Sequence, residues 1–373
     1  RNLQVRFDNF NTGFWEIWNE PGFDYSGASG WLEPGQPGNW WENNPDPCDY
    51  KLRAPIFHFV RTMRIAYQVI KTHSPDDYVV LSGVGYESFL DAVLRNTDNP
   101  NDGSPTSEFP LGGGAYFDVM GFHSYPHFDG SMRYWDNSIG GFAYERHSDR
   151  GIEGFLDKKA VRQQHLADYG YDGVTYPLKE WMITEYNVPR VAFPDPSNQN
   201  INLFGSDEGA RNFIMKSYVA AMQEGLIQIH PYQIAERETA ANADDSFDHM
   251  GFFENLNVIE HFDQVIHEQG IGYKTTTDLL FRKGYDAAQT ALMNLPTNIK
   301  GGAFKNSMGE YTYVLWARTT VDNSEFANAS YTFPAGMEVG NLEKRIWDFG
   351  NTGTVAMIGS QNVSLNGSPA FFT

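Results

Sequence analysis

The stretch Phe14-Trp15-Glu16-Ile17-Trp18 runs directly into Asn19-Glu20-Pro21. Aromatic and β-branched residues suit a buried strand, and a proline just beyond it stops the ladder. Such a strand delivers a carboxamide and a carboxylate into the loop at its carboxyl end, which is where sites form in parallel sheets and barrels. Far downstream, Glu180-Trp181-Met182-Ile183-Thr184-Glu185-Tyr186-Asn187-Val188-Pro189 has the same grammar: apolar strand, terminal Glu185, then proline. Several strand-helix units fit between the two. The sequence thus allows both carboxylates to face each other across a barrel mouth.

Taken together and in this order, the Trp-Asn-Glu-Pro and Thr-Glu-Tyr-Asn segments resemble the retaining glycoside hydrolases of clan A over roughly residues 14 to 290. The nearest likeness is to the β-xylosidase and α-L-iduronidase group, with arabinofuranosidases and red-algal galactanases as neighbours. What the resemblance implies is an α/β fold, a (β/α)8 TIM barrel, with Glu20 as acid/base after Asn19 on strand four and Glu185 as nucleophile ending strand seven. Strands four to eight would lie in this chain. Only thirteen residues precede Phe14, and a closed barrel tolerates no missing strands. Either the first three strand-helix units, on the order of 100 residues, lie on a separate segment that packs on this chain, or the architecture is an unusual open one.

Between the two carboxylates the pattern alternates as a barrel requires. Residues 22 to 50 form a long loop rich in Gly, Pro, Asn and Trp, and Trp31, Trp40 and Trp41 offer it either a stacking wall for substrate or a self-packed core. Apolar spacing predicts a helix over Ala54–Thr72, then a strand Tyr78–Ser82 left through Gly83-Val84-Gly85, and a short helix from about Tyr86 to Arg95. Phe117–Pro126 reads as the next strand. Alternation puts Gly121, His123 and Tyr125 on one face, where His123 and Tyr125 are candidates to hydrogen-bond the nucleophile or a sugar hydroxyl. A second long loop, 127 to 152, gathers Arg133, Trp135, Arg146, His147 and Arg150. Its cations either grip an anionic sugar or are neutralised by Asp129, Asp136, Glu145 and Asp149. Helices are predicted from Ile152 to about Tyr169, from Ser206 to Glu224 and from Thr275 to Met293, with an eighth strand over Leu226–Ile234.

Past Pro296 the grammar changes to short alternating runs: Tyr311–Ala317, Ser330–Phe333, Lys344–Phe349, Val355–Ile358 and Asn362–Leu365. That is the pattern of an antiparallel β-sandwich. The expected organisation is a catalytic barrel over 1–295 and a small accessory sandwich over 296–373.

Composition narrows the partners. A formal net charge of −20 argues against nucleic acid and against an anionic membrane surface. The single Cys48 excludes an intramolecular disulfide framework and a thiolate metal cluster, and no His-Glu-x-x-His spacing supports a metal site. No apolar run approaches a membrane span. Aromatic residues make up 15% of the chain, an excess that suits stacking on the C–H faces of sugar rings. The expected partner is a polysaccharide or oligosaccharide, met by a secreted, periplasmic or cell-surface enzyme without a cofactor.

The chemistry needs a proton for the leaving oxygen and electron density for an oxocarbenium-like carbon, and two carboxyl groups supply both. Burial beside Trp18 and a second carboxylate nearby would keep Glu20 protonated. The resemblance implies that Asn19 donates to the sugar 2-hydroxyl. Glu16, two residues before Trp18, reads as a paired structural carboxylate facing the interior. Long aromatic loops point to an extended cleft and an endo mode. The Arg-bearing loop tilts the substrate toward an anionic or algal galactan of the agar or porphyran type. An exo-acting β-xylosidase-like enzyme and a non-catalytic carbohydrate-binding protein on a hydrolase scaffold are the competing readings.

Overall fold

A computed structural model describes residues 13–21, 56–196, 198–239, 241–256, 264–335, 337, 343–358 and 361–373. Trp31, Trp40, Trp41 and Cys48 lie outside the described residues. The chain divides into two compact units, one of residues 1–123 with 158–185 and the other of 124–157 with 186–373.

The first unit is mixed α/β with a parallel sheet. Its elements in chain order are β1 (Phe14–Ile17), α1 (Ile56–His73), β2 (Tyr78–Leu81), α2 (Glu87–Arg95), β3 (Val119–Ser124), the later part of α3 (Ser148–Asp168) and β4 (Glu180–Tyr186). Spatial order in the sheet follows sequence order, β1-β2-β3-β4. β1 lies parallel to β2 with Phe14 opposite Tyr78 and Ile17 opposite Leu81, and β2 lies parallel to β3 with Val80 opposite Val119. Parallel neighbours need a long crossover between them, and α1, α2 and α3 occupy those crossovers. α1 buries Ile56, Phe59, Val60, Met63 and Ile70 at helical spacing.

Side-chain alternation gives the sheet two distinct faces. Phe14, Val80, Val119 and Met182 cluster on one, and the period of two carries that face on to Glu16, Gly121, His123 and Thr184. Phe122 and Trp181 meet edge-on on the other, with ring centroids 6.2 Å apart. There the fully buried Arg162 of α3 sits over the Phe122 ring and donates to the carbonyls of Val84 and Gly85, both at 2.9 Å. Those two bonds fix the loop that leaves β2. Gly121 has no room for a side chain, since a Cβ would lie 2.4 Å from the Leu81 carbonyl oxygen.

The second unit corrects two sequence expectations. Residues 127 to 152 are not one loop: Arg133–Asp136 and Gly141–Tyr144 pair as an antiparallel hairpin, and α3 begins at Ser148. Charges at both ends of Arg-Tyr-Trp-Asp hide a short aromatic strand, and Gly140 turns the chain with φ +62. Nor is Thr275–Met293 one helix. α5 (Glu268–Leu280) ends before a two-residue strand, Gly284–Tyr285, and Asp286 caps a new helix, Ala287–Met293, by accepting from the Gln289 N–H at 2.9 Å. Upstream, α4 (Asp207–Gln223) is capped as its sequence predicts, with the Ser206 hydroxyl accepting from Gly209 N–H at 3.0 Å. The strand expected over Leu226–Ile234 is confined to Gln228–Pro231.

The C-terminal region is a six-stranded antiparallel sheet and a separate two-stranded one. Tyr311–Ala317 shows how the larger sheet is held. Tyr313, Leu315 and Ala317 face the pair Asn328–Thr332 and Asn362–Asn366 through Tyr331, Val363 and Leu365. Val314 and Trp316 face α4 and α5 through Met215, Val219 and Leu280. Both faces of this strand are thus buried. Strands Ile299–Lys305 and Ala370–Phe372 complete the sheet beside it. Among the described residues no helix is long and apolar enough to cross a membrane.

Candidate active site

Three side chains of the first unit converge at the carboxyl ends of its strands. Beyond β1 the backbone turns through Trp18 at φ 73 and Glu20 at φ 45, two non-glycine residues with positive φ within three positions. That region disfavours a Cβ and is enriched at functional sites. It carries the Glu20 carboxylate back over the sheet to the imidazole of His123, next to last in β3. His123 Nδ1 lies 2.7 Å from Glu20 Oε1. The same nitrogen lies 3.5 Å from Oε2 of Glu185, next to last in β4. This nitrogen and one oxygen from each carboxylate all lie within 4.8 Å of one another. The His123 side chain is 5% exposed, those of Glu20 and Glu185 25% and 28%. An imidazole held inside the protein therefore bridges two carboxylates that solvent can reach.

What holds the imidazole is the loop after β2. A Cβ on Gly83 would lie 2.0 Å from His123 Nε2 and 2.5 Å or less from two ring carbons, so the ring rests directly on the Gly83 backbone. The Gly83 N–H in turn donates to Glu16 Oε1 at 3.1 Å. Glu16 keeps surface open to solvent yet is crowded by protein on most sides. This crowding raises its carboxyl above the ordinary range, and the Glu185 charge adds to it, while Thr184, His123 and the Gly83 N–H pull the other way. Glu16 belongs to the site as a supporting carboxylate. Sequence reading took Gly83 only as a tight turn; its contact with His123 joins residues forty positions apart and leaves no local signal.

Asn19, beside Glu20, is exposed. So is Trp18, at 44%, and it therefore does not form the burying wall expected beside Glu20. The donor set of Glu20, His123 and Glu185 is also one that a cation could use. A second cluster, Asp244, Asp245 and Asp248, is answered by Arg237, which lies 3.1 Å from Asp245 and from Asp248.

The remaining sequence candidates belong to the second unit. Tyr125 is buried in an aromatic group, 4.9 Å from Phe247 and 6.1 Å from Tyr232 between ring centroids. The hairpin presents Trp135, 57% exposed, edge-on to Phe142. Arg133 lies over that same Phe142 ring, 4.7 Å from its centroid, with Asp195 at 3.7 Å. Arg146 is tied to both oxygens of Asp322, at 3.0 and 2.6 Å, and Arg150 lies 3.6 Å from both Glu145 and Glu153. The arginines of this segment are thus charge-balanced by carboxylates, two of which, Asp195 and Asp322, come from distant sequence. Arg133 and Arg146 line a cavity of 170 Å³ together with Phe128 and Tyr144.

No family model matches this sequence, and no curated protein does. Solved structures do match in fold. A family 39 glycoside hydrolase from the gut symbiont Bacteroides cellulosilyticus aligns over 100% of this chain and 60% of its own, with TM-score 0.56 and 14% identity. A thermostable GH51 α-L-arabinofuranosidase from Thermotoga petrophila aligns over 99% of this chain and 69% of its own, with TM-score 0.54 and 11% identity. The chain thus spans about three fifths of the first relative and just over two thirds of the second. At these identities the likeness carries the fold: the chain is built on the scaffold of these glycoside hydrolases.

Proposed function

We propose that this chain is a glycoside hydrolase that cleaves a polysaccharide with retention of configuration, with β1 to β4 as strands four to seven of a (β/α)8 barrel. The observation that carries the reading is the convergence of Glu20 and Glu185, through oxygens within 4.8 Å, at the carboxyl ends of the strands. Retaining enzymes hold their carboxyl groups about 5–5.5 Å apart, whereas inverting ones leave roughly 6.5–9.5 Å for a water. The short spacing favours direct attack by a carboxylate.

In this reading Glu185 attacks the anomeric carbon while Glu20 gives its proton to the departing oxygen. The bond to the leaving sugar breaks as the glycosyl ester to Glu185 forms. Glu20, now a carboxylate, takes a proton from water, and the resulting hydroxide equivalent attacks from the face the leaving sugar vacated, opposite Glu185, and displaces it. His123 Nδ1 orients the Glu20 oxygen nearest it, and Asn19 is assigned to the 2-hydroxyl. The choice of an endo-acting enzyme on an algal galactan rests on the sequence reading of the aromatic, arginine-bearing segment around Trp135 and Arg133, and not on a free charge, since Arg133 is answered by Asp195 at 3.7 Å.

The test is a panel of neutral and sulfated polysaccharides given to the parent protein and to its Glu20→Gln and Glu185→Gln variants, with the product anomer followed by NMR. Cleavage with initial retention, lost in both variants, supports the reading. An initially inverted product removes the double displacement, and no cleavage by the parent removes the reaction. Only terminal monosaccharides among the products would sink the endo mode.

A further inference from the structure

The opposite end of the first unit's sheet carries a cavity of 510 Å³, within the roughly 300–1,000 Å³ of small-molecule sites. Tyr78 opens β2, Asp118 precedes β3 and Lys179 precedes β4, so the cavity lies at the amino ends of the strands whose carboxyl ends hold Glu20, His123 and Glu185. Tyr67, Tyr78, Tyr169, Tyr171 and Tyr176 line it.

This wall is built. Tyr171 and Tyr176 stand on one turn whose backbone closes twice, Gly173 N–H to Tyr176 carbonyl and Tyr176 N–H to Gly170 carbonyl, both at 2.9 Å. Their rings sit 5.1 Å apart. Tyr171 is seated against Gly114, where a Cβ would come within 2.5 Å of the ring. Lys179 Nζ lies 4.4 Å from the same ring's centroid and donates to the carbonyls of Gly114 and Phe117. Tyr176 is half exposed and Tyr78 is 40% exposed. Burial, and for Tyr169 also its bond to Asp91, pushes the Tyr169 and Tyr171 hydroxyls up to about 12. They remain neutral groups at any working pH.

The charged groups at the cavity are engaged by the protein itself: Asp118 pairs with Lys71 at 2.9 Å, and Lys179 donates to two backbone carbonyls. Apart from the exposed Glu180, the rest of the lining is aromatic, aliphatic or hydroxyl-bearing. Ring faces with hydroxyl edges match an uncharged pyranose or furanose, which offers C–H faces and hydroxyls in the same alternation.

We infer that this tyrosine-lined cavity is a second, non-catalytic binding site for an uncharged saccharide segment, the choice of a saccharide resting on the hydrolytic reading above. It would hold polymer while the carboxylate site turns it over.

The test uses the full chain carrying Glu185→Gln, sedimented with insoluble xylan, agarose and arabinan. Retention on at least one polymer is expected, with about a tenfold loss when Tyr176→Ala is added and recovery with Tyr176→Phe, which keeps the ring. Nitration of Tyr176 by tetranitromethane, followed by peptide mass spectrometry, should slow several-fold when the soluble form of the same polymer is present. Equal retention of the Tyr176→Ala protein, retention on no polymer, or nitration indifferent to polymer overturns the inference. The two readings fail separately. Hydrolysis by the parent with unprotected Tyr176 removes the second site and leaves the reaction; protection of Tyr176 with no hydrolysis removes the reaction and leaves the site.

Discussion

Two clusters of carboxylates in this molecule are made of similar residues and are built to opposite ends. In the first unit Glu20 and Glu185 converge on one imidazole and keep about a quarter of their side-chain surface open. In the second, Asp149 and Glu325 surround the ammonium of Lys216, at 2.7 and 3.8 Å, with all three side chains 5% exposed or less. Asp149 also accepts from the Trp316 indole at 2.9 Å and from both the N–H and hydroxyl of Thr319. Glu325 accepts from the Ser148 N–H and hydroxyl and from Asn212. Burial pushes Asp149 upward, but the Lys216 charge and these hydrogen bonds outweigh it and hold the carboxyl below its usual range. The lesson is one of access. A closed cluster with its acceptors satisfied ties α3, α4 and the C-terminal sheet together, whereas an open pair leaves oxygens for a substrate.

If that contrast is right, removing a carboxylate from the open pair should abolish turnover and leave the fold intact. Glu20→Gln is expected to lower kcat by about 10²- to 10⁴-fold, the range of general acid–base catalysis, and Glu185→Gln by at least as much, with melting temperatures close to the parent's. A melting temperature that falls with the activity would move Glu20 and Glu185 into the structural class. The closed cluster should answer in reverse. Lys216→Met keeps most of the volume but strands two buried carboxylates, a loss of about 3–5 kcal/mol measurable by urea unfolding. An unchanged midpoint would show that the network carries no net stability.

How much of this was readable in advance differs between the clusters. Glu20 and Glu185 were legible because each ends an apolar strand just ahead of a proline, a local signal. His123 was legible through alternation along β3. The closed cluster was not, because Lys216 and Asp149 stand on different helices and Glu325 in a loop, and none has a neighbour in sequence that marks it. Arg146 shows the same limit: its partner is Asp322, not the acidic residues of its own segment. The C-terminal sheet was read from Tyr311 onward. Ile299–Lys305 was missed because Gly301-Gly302 looks like a turn, yet Gly301, at φ +132, passes so close to Val314 that a Cβ would overlap its carbonyl oxygen.

A weaker probe reaches the open pair without touching it. Gly83→Ala would place a methyl inside the His123 ring, so the imidazole must move and its geometry to both carboxylates must change. Misplacement by about 1 Å costs on the order of 10²-fold in rate, and that loss is expected in kcat with a displaced pH profile and little change in KM. A Gly83→Ala protein with parental kcat and pH profile would show that His123 has no part in orienting Glu20.

The smallest effect separates the clusters by pH alone. His147 immediately precedes α3 beside the closed cluster, and its Nδ1 faces the Arg150 N–H at 3.1 Å and the Thr319 hydroxyl at 3.2 Å. A ring nitrogen that accepts a backbone N–H cannot also carry a proton, and a helix amino end repels a cation. Burial pushes the imidazole down to about 4, with Asp149 opposing and Lys216 assisting. Because the folded value lies below the ordinary 6.5, the unfolded chain takes up this proton first. Stability from His147 is therefore complete above about pH 6.5 and is lost as pH falls toward 4, at up to about 1.4 kcal/mol per pH unit. His147→Asn retains an acceptor for the Arg150 N–H and does not titrate. Denaturant midpoints for parent and variant should agree at pH 7.5 to within about 1 kcal/mol, the usual worth of an amino-terminal cap. They should then diverge in the variant's favour between pH 6.5 and 4.5. Parallel curves across that window would mean that His147 is free to charge in the folded state and that the closed cluster is more open to solvent than its burial implies.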